Sequence, residues 1–270
     1  MTEEKRIRPH RYMSATAILL IITGIAVAVL IIVGIIIHAS GVRYIRYEDD
    51  GGFIKFFGRV NEEGDPKSGT IVYENGVRGT IDTESGVIRY TNGDVYEGTL
   101  ANLQKDGTGV LTFANGDVYT GEFAEDAAHG TGVYEYANGD TYEGGFESGQ
   151  KHGEGVYTWA DGSVYTGGFR FDRKDGTGTF TWANGDRYEG EYKADLKEGT
   201  GTYTFANGDV YTGEYRSDVR SGTGVYTWAN GEKYEGSFRD NVMWGEGVYS
   251  WPSGRVYTGF FENGVIVRVE

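Results

Sequence analysis

Gly155-Val156-Tyr157-Thr158-Trp159-Ala160-Asp161-Gly162-Ser163-Val164-Tyr165-Thr166-Gly167-Gly168-Phe169 is the stretch from which the fold can be read. Val156 to Trp159 are β-branched or aromatic, the composition of a strand, and Val164 to Phe169 return to it. The turn slot between them holds Ala-Asp-Gly-Ser here and Asn-Gly at Asn115-Gly116, Asn138-Gly139, Asn184-Gly185 and Asn207-Gly208. Asn-Gly offers two residues that tolerate positive φ, so the pattern predicts a hairpin closed by a two-residue type I′ turn. A polar link of about seven residues leads to the next unit.

The unit recurs every 23 residues without a slip, with Tyr96, Tyr119, Tyr142, Tyr165, Tyr188, Tyr211, Tyr234 and Tyr257 in frame. Gly86, Gly109, Gly132, Gly155, Gly178, Gly201, Gly224 and Gly247 keep the same step. A fixed period of this length is the mark of a repeat array. Helices would lose about 1 kcal/mol at each in-frame glycine, and glycine makes up 45 of 270 residues. One hairpin alone is marginal in water, whereas neighbours in tandem pair edge to edge. The expected fold is an all-β repeat array: an elongated, twisted antiparallel meander of 23-residue hairpins, preceded by one transmembrane helix. Sixteen strands would give roughly 75–80 Å of sheet.

The array resembles the MORN (membrane occupation and recognition nexus) repeat family. The resemblance rests on Tyr-Glu-Gly at Tyr96, Tyr142, Tyr188 and Tyr234 and on Tyr-Thr-Gly at Tyr119, Tyr165, Tyr211 and Tyr257. It rests as well on the preceding Asn-Gly-Asp and on the following Gly-x-Gly, as in Gly130-Thr131-Gly132. It implies a single twisted sheet of hairpins. It implies roles in scaffolding, dimerisation and attachment of proteins at membranes, and a link to phospholipid binding.

Four segments follow along the chain. Residues 1–13 form a basic cytoplasmic tail. Residues 14–37 hold no charged side chain and are dense in Ile, Val, Leu and Ala. Twenty-four helical residues span about 36 Å, enough for a hydrocarbon core of about 30 Å, and the run exceeds the usual length of a cleaved signal segment. Residues 41–85 read as degenerate capping repeats, and residues 86–270 as eight repeats with Val265 to Val269 as a closing strand. Lys5, Arg6, Arg8 and Arg11 precede the helix and Arg43 and Arg46 follow it. That bias predicts a cytoplasmic N-terminus, a single-pass cell-membrane protein and an extracytoplasmic array.

Charge narrows the partners. The chain carries −15, and an acidic domain is repelled by nucleic acid and by anionic headgroups. Nucleic acid is excluded on this reading, and binding of the soluble array to anionic lipid is not expected. Protein partners, or a second copy of the chain, fit better. No enzyme is expected. With no cysteine there is no thiolate nucleophile, and Gly-x-Gly is not followed by a helix as a phosphate loop requires. No cofactor and no metal site is expected. His129 and His152 occupy equivalent slots, and the aspartates after the turns read as acceptors for turn amides.

A two-residue loop would set Trp159 opposite Val164 and Thr158 opposite Tyr165. One face would then carry Val156, Thr158, Tyr165, Gly167 and Phe169 as a constant packing surface. The other would carry Tyr157, Trp159, Val164 and Thr166. Glu and Thr alternate on that second face, at Glu97, Thr120, Glu143, Thr166, Glu189, Thr212, Glu235 and Thr258. The partner-binding residues expected there are Phe113, Tyr136, Trp159, Trp182, Arg187, Phe205, Trp228, Lys233 and Trp251, with Arg187 across from Trp182 and Lys233 across from Trp228. The expected function is a non-enzymatic, membrane-anchored scaffold that displays its sheet to proteins or to itself. The alternative is an envelope glycan- or lipid-binding module.

Overall fold

A computed structural model describes residues 15–49 and 52–269. The expected basic tail, residues 1–13, and Ser14 lie outside the described residues. The chain divides into two compact units, Met1–Glu84 and Ser85–Glu270.

In the first unit, Ala15–Ala39 form a helix with no charged side chain. Its side chains from Leu19 onward are exposed on every side, an arrangement that water does not favour. Residues Leu19–Ala39 are long and apolar enough to cross a membrane, and a signal sequence has the same properties. Gly41 ends the segment at φ 71°, the left-handed residue that commonly closes a helix. Four antiparallel strands follow, Val42–Asp49, Gly52–Val60, Pro66–Tyr73 and Arg78–Asp82. Ile54, Phe56, Ile71 and Ile81 are buried on them.

The second unit is built from seventeen strands, Val87–Tyr90 through Val265–Val269. Each paired neighbour is antiparallel, as the hairpin reading requires.

The turns differ from expectation, and the difference resets the faces. Trp159 N–H donates to Ser163 O at 2.9 Å and Gly162 N–H to Trp159 O at 2.9 Å. The loop therefore has three residues, Ala160, Asp161 and Gly162, and of these only Gly162 has positive φ, 90°. This is a type I turn followed by a left-handed glycine. The same holds at Asn115-Gly116, where Asn115 Oδ1 accepts the Asp117 amide at 3.0 Å and Gly116 alone is left-handed. The asparagine serves as an Asx-turn acceptor, and its backbone stays in the ordinary region.

The two-residue type I′ turns lie at the opposite ends of the hairpins. Phe171-Asp172 (φ 49° and 66°), Ala194-Asp195 (49° and 74°) and Ser217-Asp218 (49° and 69°) join successive units. The expected polar link is mostly strand, as in Arg173–Thr181 and Leu196–Thr204.

One extra loop residue moves a strand's whole side-chain set to the other face. Tyr157 pairs with Tyr165 and Thr158 with Val164. The two expected faces are thus corrected: Tyr157, Trp159, Tyr165 and Phe169 share one face, here called the inner face. Val156, Thr158, Val164 and Thr166 share the outer one.

The in-frame tyrosines, Tyr96 through Tyr234, are 0–1% exposed. Tyr165 shows the arrangement. Its hydroxyl donates to Gly168 O at 3.1 Å. Its ring lies flat over Gly178, where an added Cβ would sit 2.4 Å from the hydroxyl oxygen and 2.6 Å from ring carbons. The Gly-x-Gly motif thus clears space for the tyrosine ring.

Candidate functional site

The inner face carries two aromatic rows. The buried one runs from Tyr96 through Phe123, Tyr119, Phe146 and Tyr142 and onward to Phe261. Each ring meets the next edge to face at centroid distances of 4.9–5.3 Å. Such pairs contribute about 0.5–1.5 kcal/mol each beyond their buried area. This row is the core that an isolated hairpin lacks.

The second row is only half-buried. Thirteen rings form one unbroken ribbon from Phe113 to Trp251, alternating between the position of Tyr157 and that of Trp159. Consecutive centroids lie 4.3–5.9 Å apart, with planes tilted by 32–51°. At these separations the ring faces turn largely toward one another, so solvent meets mainly ring edges.

Phe113, Tyr136, Trp159, Trp182, Phe205, Trp228 and Trp251 all lie on this ribbon. Arg187 and Lys233 do not. Arg187 pairs with Thr181, the residue before Trp182, and so stands on the outer face. Lys233 pairs likewise with Thr227. Their expected contacts with Trp182 and Trp228 are corrected for the same reason as the faces. Instead Arg187 holds Glu189 at 2.6 Å and Lys233 holds Glu235 at 2.7 Å. These are surface pairs of little net stabilising value. The alternating Glu and Thr belong to that outer face, away from the aromatic residues.

Sequence reasoning did not find the cations of the inner face. Lys151 Nζ donates to Tyr136 Oη at 3.1 Å and lies over the Tyr142 and Tyr157 rings. Lys174 lies over Trp159, Tyr165, Phe180 and Tyr192. Lys197 takes the same place over Trp182, Tyr188 and Tyr203. Arg220 lies over Tyr211, Tyr226 and Phe238. Asp172, Asp195 and Asp218 from the following turns face the three lysines at 3.5, 3.8 and 3.3 Å. Desolvation lowers the Lys174 pKa, with Asp195 opposing the shift. The signal was present in the 23-residue spacing of Lys151, Lys174 and Lys197, but a lysine reads as solvent-facing until its neighbours are known.

The aspartates after the turns join one repeat to the next. Asp140 Oδ1 accepts the Ala160 amide at 2.9 Å and its Oδ2 accepts the Tyr157 hydroxyl at 2.8 Å. Asp117, Asp186 and Asp209 do the same with Ala137 and Tyr134, Ala206 and Tyr203, and Ala229 and Tyr226. The expected role as acceptors of turn amides is met, across repeats. The amide bond is the main reason that the pKa of Asp117, Asp140, Asp186 and Asp209 is lowered. Burial, followed by the bond to Glu232, pushes Tyr249 up to about 12. Among the described residues no three His, Cys, Asp or Glu side chains converge as metal ligands would.

The MORN repeat family model matches seven consecutive units, 96–118, 119–141, 142–164, 165–187, 188–210, 211–233 and 234–254. No curated protein matches the sequence. Among solved structures, the SAS-4 (dCPAP) TCP domain of Drosophila melanogaster, in complex with a proline-rich motif of Ana2, is 18% identical. That match covers 58% of this chain and 86% of the other, at a TM-score of 0.37. The TCP10c domain of Drosophila melanogaster Sas-4 is 15% identical over 58% of this chain and 94% of its own, at 0.35. A streptogramin B lyase is 12% identical over 83% and 84%, at 0.18. Likeness at these scores carries no functional inference.

Proposed function

The chain belongs to the MORN repeat family, and from that premise we propose that it is a non-enzymatic scaffold, anchored in the cell membrane by Ala15–Ala39, whose array holds protein partners on the aromatic inner face. The observation that carries this reading is the ribbon of half-buried rings, unbroken from Phe113 to Trp251. An array needs one aromatic row to bury its own core. A second row left at the surface over seven units is suited to partner contact, where aromatic side chains dominate the energetics. Ring edges offer a peptide apolar contacts, and the exposed carboxylates of Asp172, Asp195 and Asp218 offer polar ones. A second copy of the chain is one form that such a partner takes. The excess of Lys and Arg before the helix supports a cytoplasmic N-terminus and an extracytoplasmic array.

Site-specific photocrosslinking tests this. A photoreactive phenylalanine at Trp182 should crosslink to a defined protein band in intact cells, and one at Thr212 on the outer face should not. Equal yields of the same band from both positions would remove the ribbon as the docking surface.

A further inference from the structure

The outer face carries a second feature, at the edge formed by the type I′ turns. The last outward-facing position before each turn holds Arg170, Lys193, Arg216 and Arg239 in four consecutive units. Their cross-strand partners are Arg173, Leu196, Val219 and Val242. Arg170, Arg173, Lys193, Arg216 and Arg239 are all exposed. So are Phe171, Leu196 and Val242, at 46%, 42% and 37%. With two strands to each repeat, neighbouring cations stand about 10 Å apart and the line extends over roughly 29 Å.

Ion pairing within the fold does not account for this line, although Arg170 and Arg239 lie over the Phe171 and Trp244 rings at 5.9 and 5.0 Å. Acidic residues outnumber basic ones 40 to 25 in the chain. Even so, among the described residues no carboxylate lies within ion-pair distance of Arg170, Arg173, Lys193 or Arg216; only Arg239 has one, Asp240 at 3.7 Å. Arg170 and Arg173 face each other directly, and like charges so placed are destabilising. The nearby carboxylates accept backbone amides. Asp172, Asp195 and Asp218 accept the backbone amides of Lys151, Lys174 and Lys197. Asp175 and Glu198 accept the Ala194 and Ser217 turn amides. The net charge of the chain is also unevenly spread. Residues 91–150 carry eleven acids and one lysine, net −10, whereas residues 151–270 carry eighteen acids and thirteen basic residues. At physiological salt the Debye length is about 8 Å, so distant acids do not set the field along this edge.

We infer that this edge, from Arg170 to Val242, is a docking line for an extended acidic protein segment with apolar side chains between its carboxylates. Complementary charge sets the sign of the partner, and Phe171, Leu196, Val219 and Val242 set its apolar part. The narrowness of the line selects an extended chain over a flat polyanion. Glu191 and Glu214 stand two residues inward from Lys193 and Arg216 on the same face, about 7 Å away. A membrane surface or a nucleic-acid backbone broad enough to cover the cations would press against those carboxylates, whereas a single extended chain meets the cations with Asp175 and Glu198, each already bound to a turn amide, between them. In a polyproline II chain, at about 3.1 Å per residue, every third side chain returns to the same side after about 9.3 Å, so a carboxylate at every third position keeps pace with the repeats.

The test uses the full chain in a neutral detergent and fluorescence anisotropy. The probe is a labelled peptide of about twelve residues with Glu at every third position and Leu between, long enough to cover the line. Wild-type protein should bind it and should bind the Glu→Gln version at least tenfold more weakly. The triple variant R173E/K193E/R216E should lose at least tenfold in affinity, about 1.4 kcal/mol. R187E/K233E, charge reversals at the other edge of the same face, should not. L196S/V219S, which keeps every charge, should weaken binding several-fold and serves if the triple variant misfolds. Equal losses in both charge-reversal variants, or no loss in either, would overturn the inference. So would tighter capture of dihexanoyl phosphatidylserine or oligo(dT) than of the peptide. None of these substitutions touches the aromatic ribbon, so this docking line and the inner-face reading stand or fall separately.

Discussion

Ser163 accepts the Ala183 amide through Oγ at 3.1 Å in the repeat where Phe180 replaces the tyrosine whose hydroxyl an aspartate would otherwise receive. In four other repeats the carboxylate serves an amide and a hydroxyl together. At Ser163 the hydroxyl partner and the second oxygen disappear together. A buried carboxylate facing an aromatic edge with no donor would be costly, and serine avoids that cost.

The pair therefore behaves as a unit. S163D alone should destabilise the array and F180Y alone should gain nothing. The double change should recover a coupling of about 0.5–3 kcal/mol in a double-mutant cycle of thermal unfolding. Additive effects would show that the two positions are independent.

Gly178→Ala sets a methyl into the Tyr165 ring and should cost about 1–3 kcal/mol. Tyr165→Phe removes only the bond to Gly168 O and should cost about 1 kcal/mol. Chemical denaturation of both variants checks the order. A larger loss from Tyr165→Phe would deny that the glycine exists to clear the ring.

Acid should weaken the joints between repeats. The pKa of Asp140, Asp186 and Asp209 is lowered by the turn amides they accept. Their contribution is thus fully present above the unfolded carboxylate value of about 3.9 and is lost as pH falls through the folded value. The melting temperature of D140N/D186N/D209N should lie well below wild type at pH 7, and the gap should shrink below about pH 4. A gap independent of pH would assign the loss to shape alone.

Alkali should act from the other side. Burial pushes Tyr119, Tyr211 and Tyr234 up to about 12. For a group raised in this way the stabilisation is present below the unfolded value of about 10 and fades as pH rises through the folded one. Absorbance of tyrosinate should show exposed tyrosines ionising near pH 10. The buried row should follow in a later step that coincides with loss of the sheet. A single titration near pH 10 with the sheet intact would contradict the burial of the row.

The double change Trp182→Ala and Trp228→Ala should lower stability as well as partner capture. Each indole is stacked between two rings, Phe180 and Tyr203 for Trp182, Tyr226 and Tyr249 for Trp228. A loss of about 2–4 kcal/mol in total is expected for half-buried aromatic side chains. An unchanged melting curve would show that the ribbon is held from below alone.

Much of the architecture was legible because it depends on residue type and period. Tyr96 to Tyr257 gave the repeat, and Val, Thr and Tyr runs gave the strands. The faces were not legible, because they depend on whether the loop at Asn-Gly holds two residues or three. Asn115 and Gly116 suit either turn by φ preference alone. The Asx bond from Asp117 N–H to Asn115 Oδ1 decides it, and such a bond cannot be told from composition. The real type I′ turns escaped notice because Phe171-Asp172 and Ala194-Asp195 lack the glycine that usually marks them. The ribbon residues were found through their in-frame spacing, whereas Arg187 and Lys233 were assigned through the wrong register.

The joints all point one way: Asp94, Asp117, Asp140, Asp186 and Asp209, and Ser163 through its hydroxyl, reach forward to the turn amide of the next repeat. A unit between two aspartate joints, such as that between Asp186 and Asp209, can therefore be removed, or a copy inserted, and the new neighbours meet with the same donor and the same acceptor. Such an array is a ruler whose length changes in whole steps of about 10 Å, and selection on span can act without redesign of the core. The alternation of Glu and Thr would register such a change, since an odd number of added units breaks its phase.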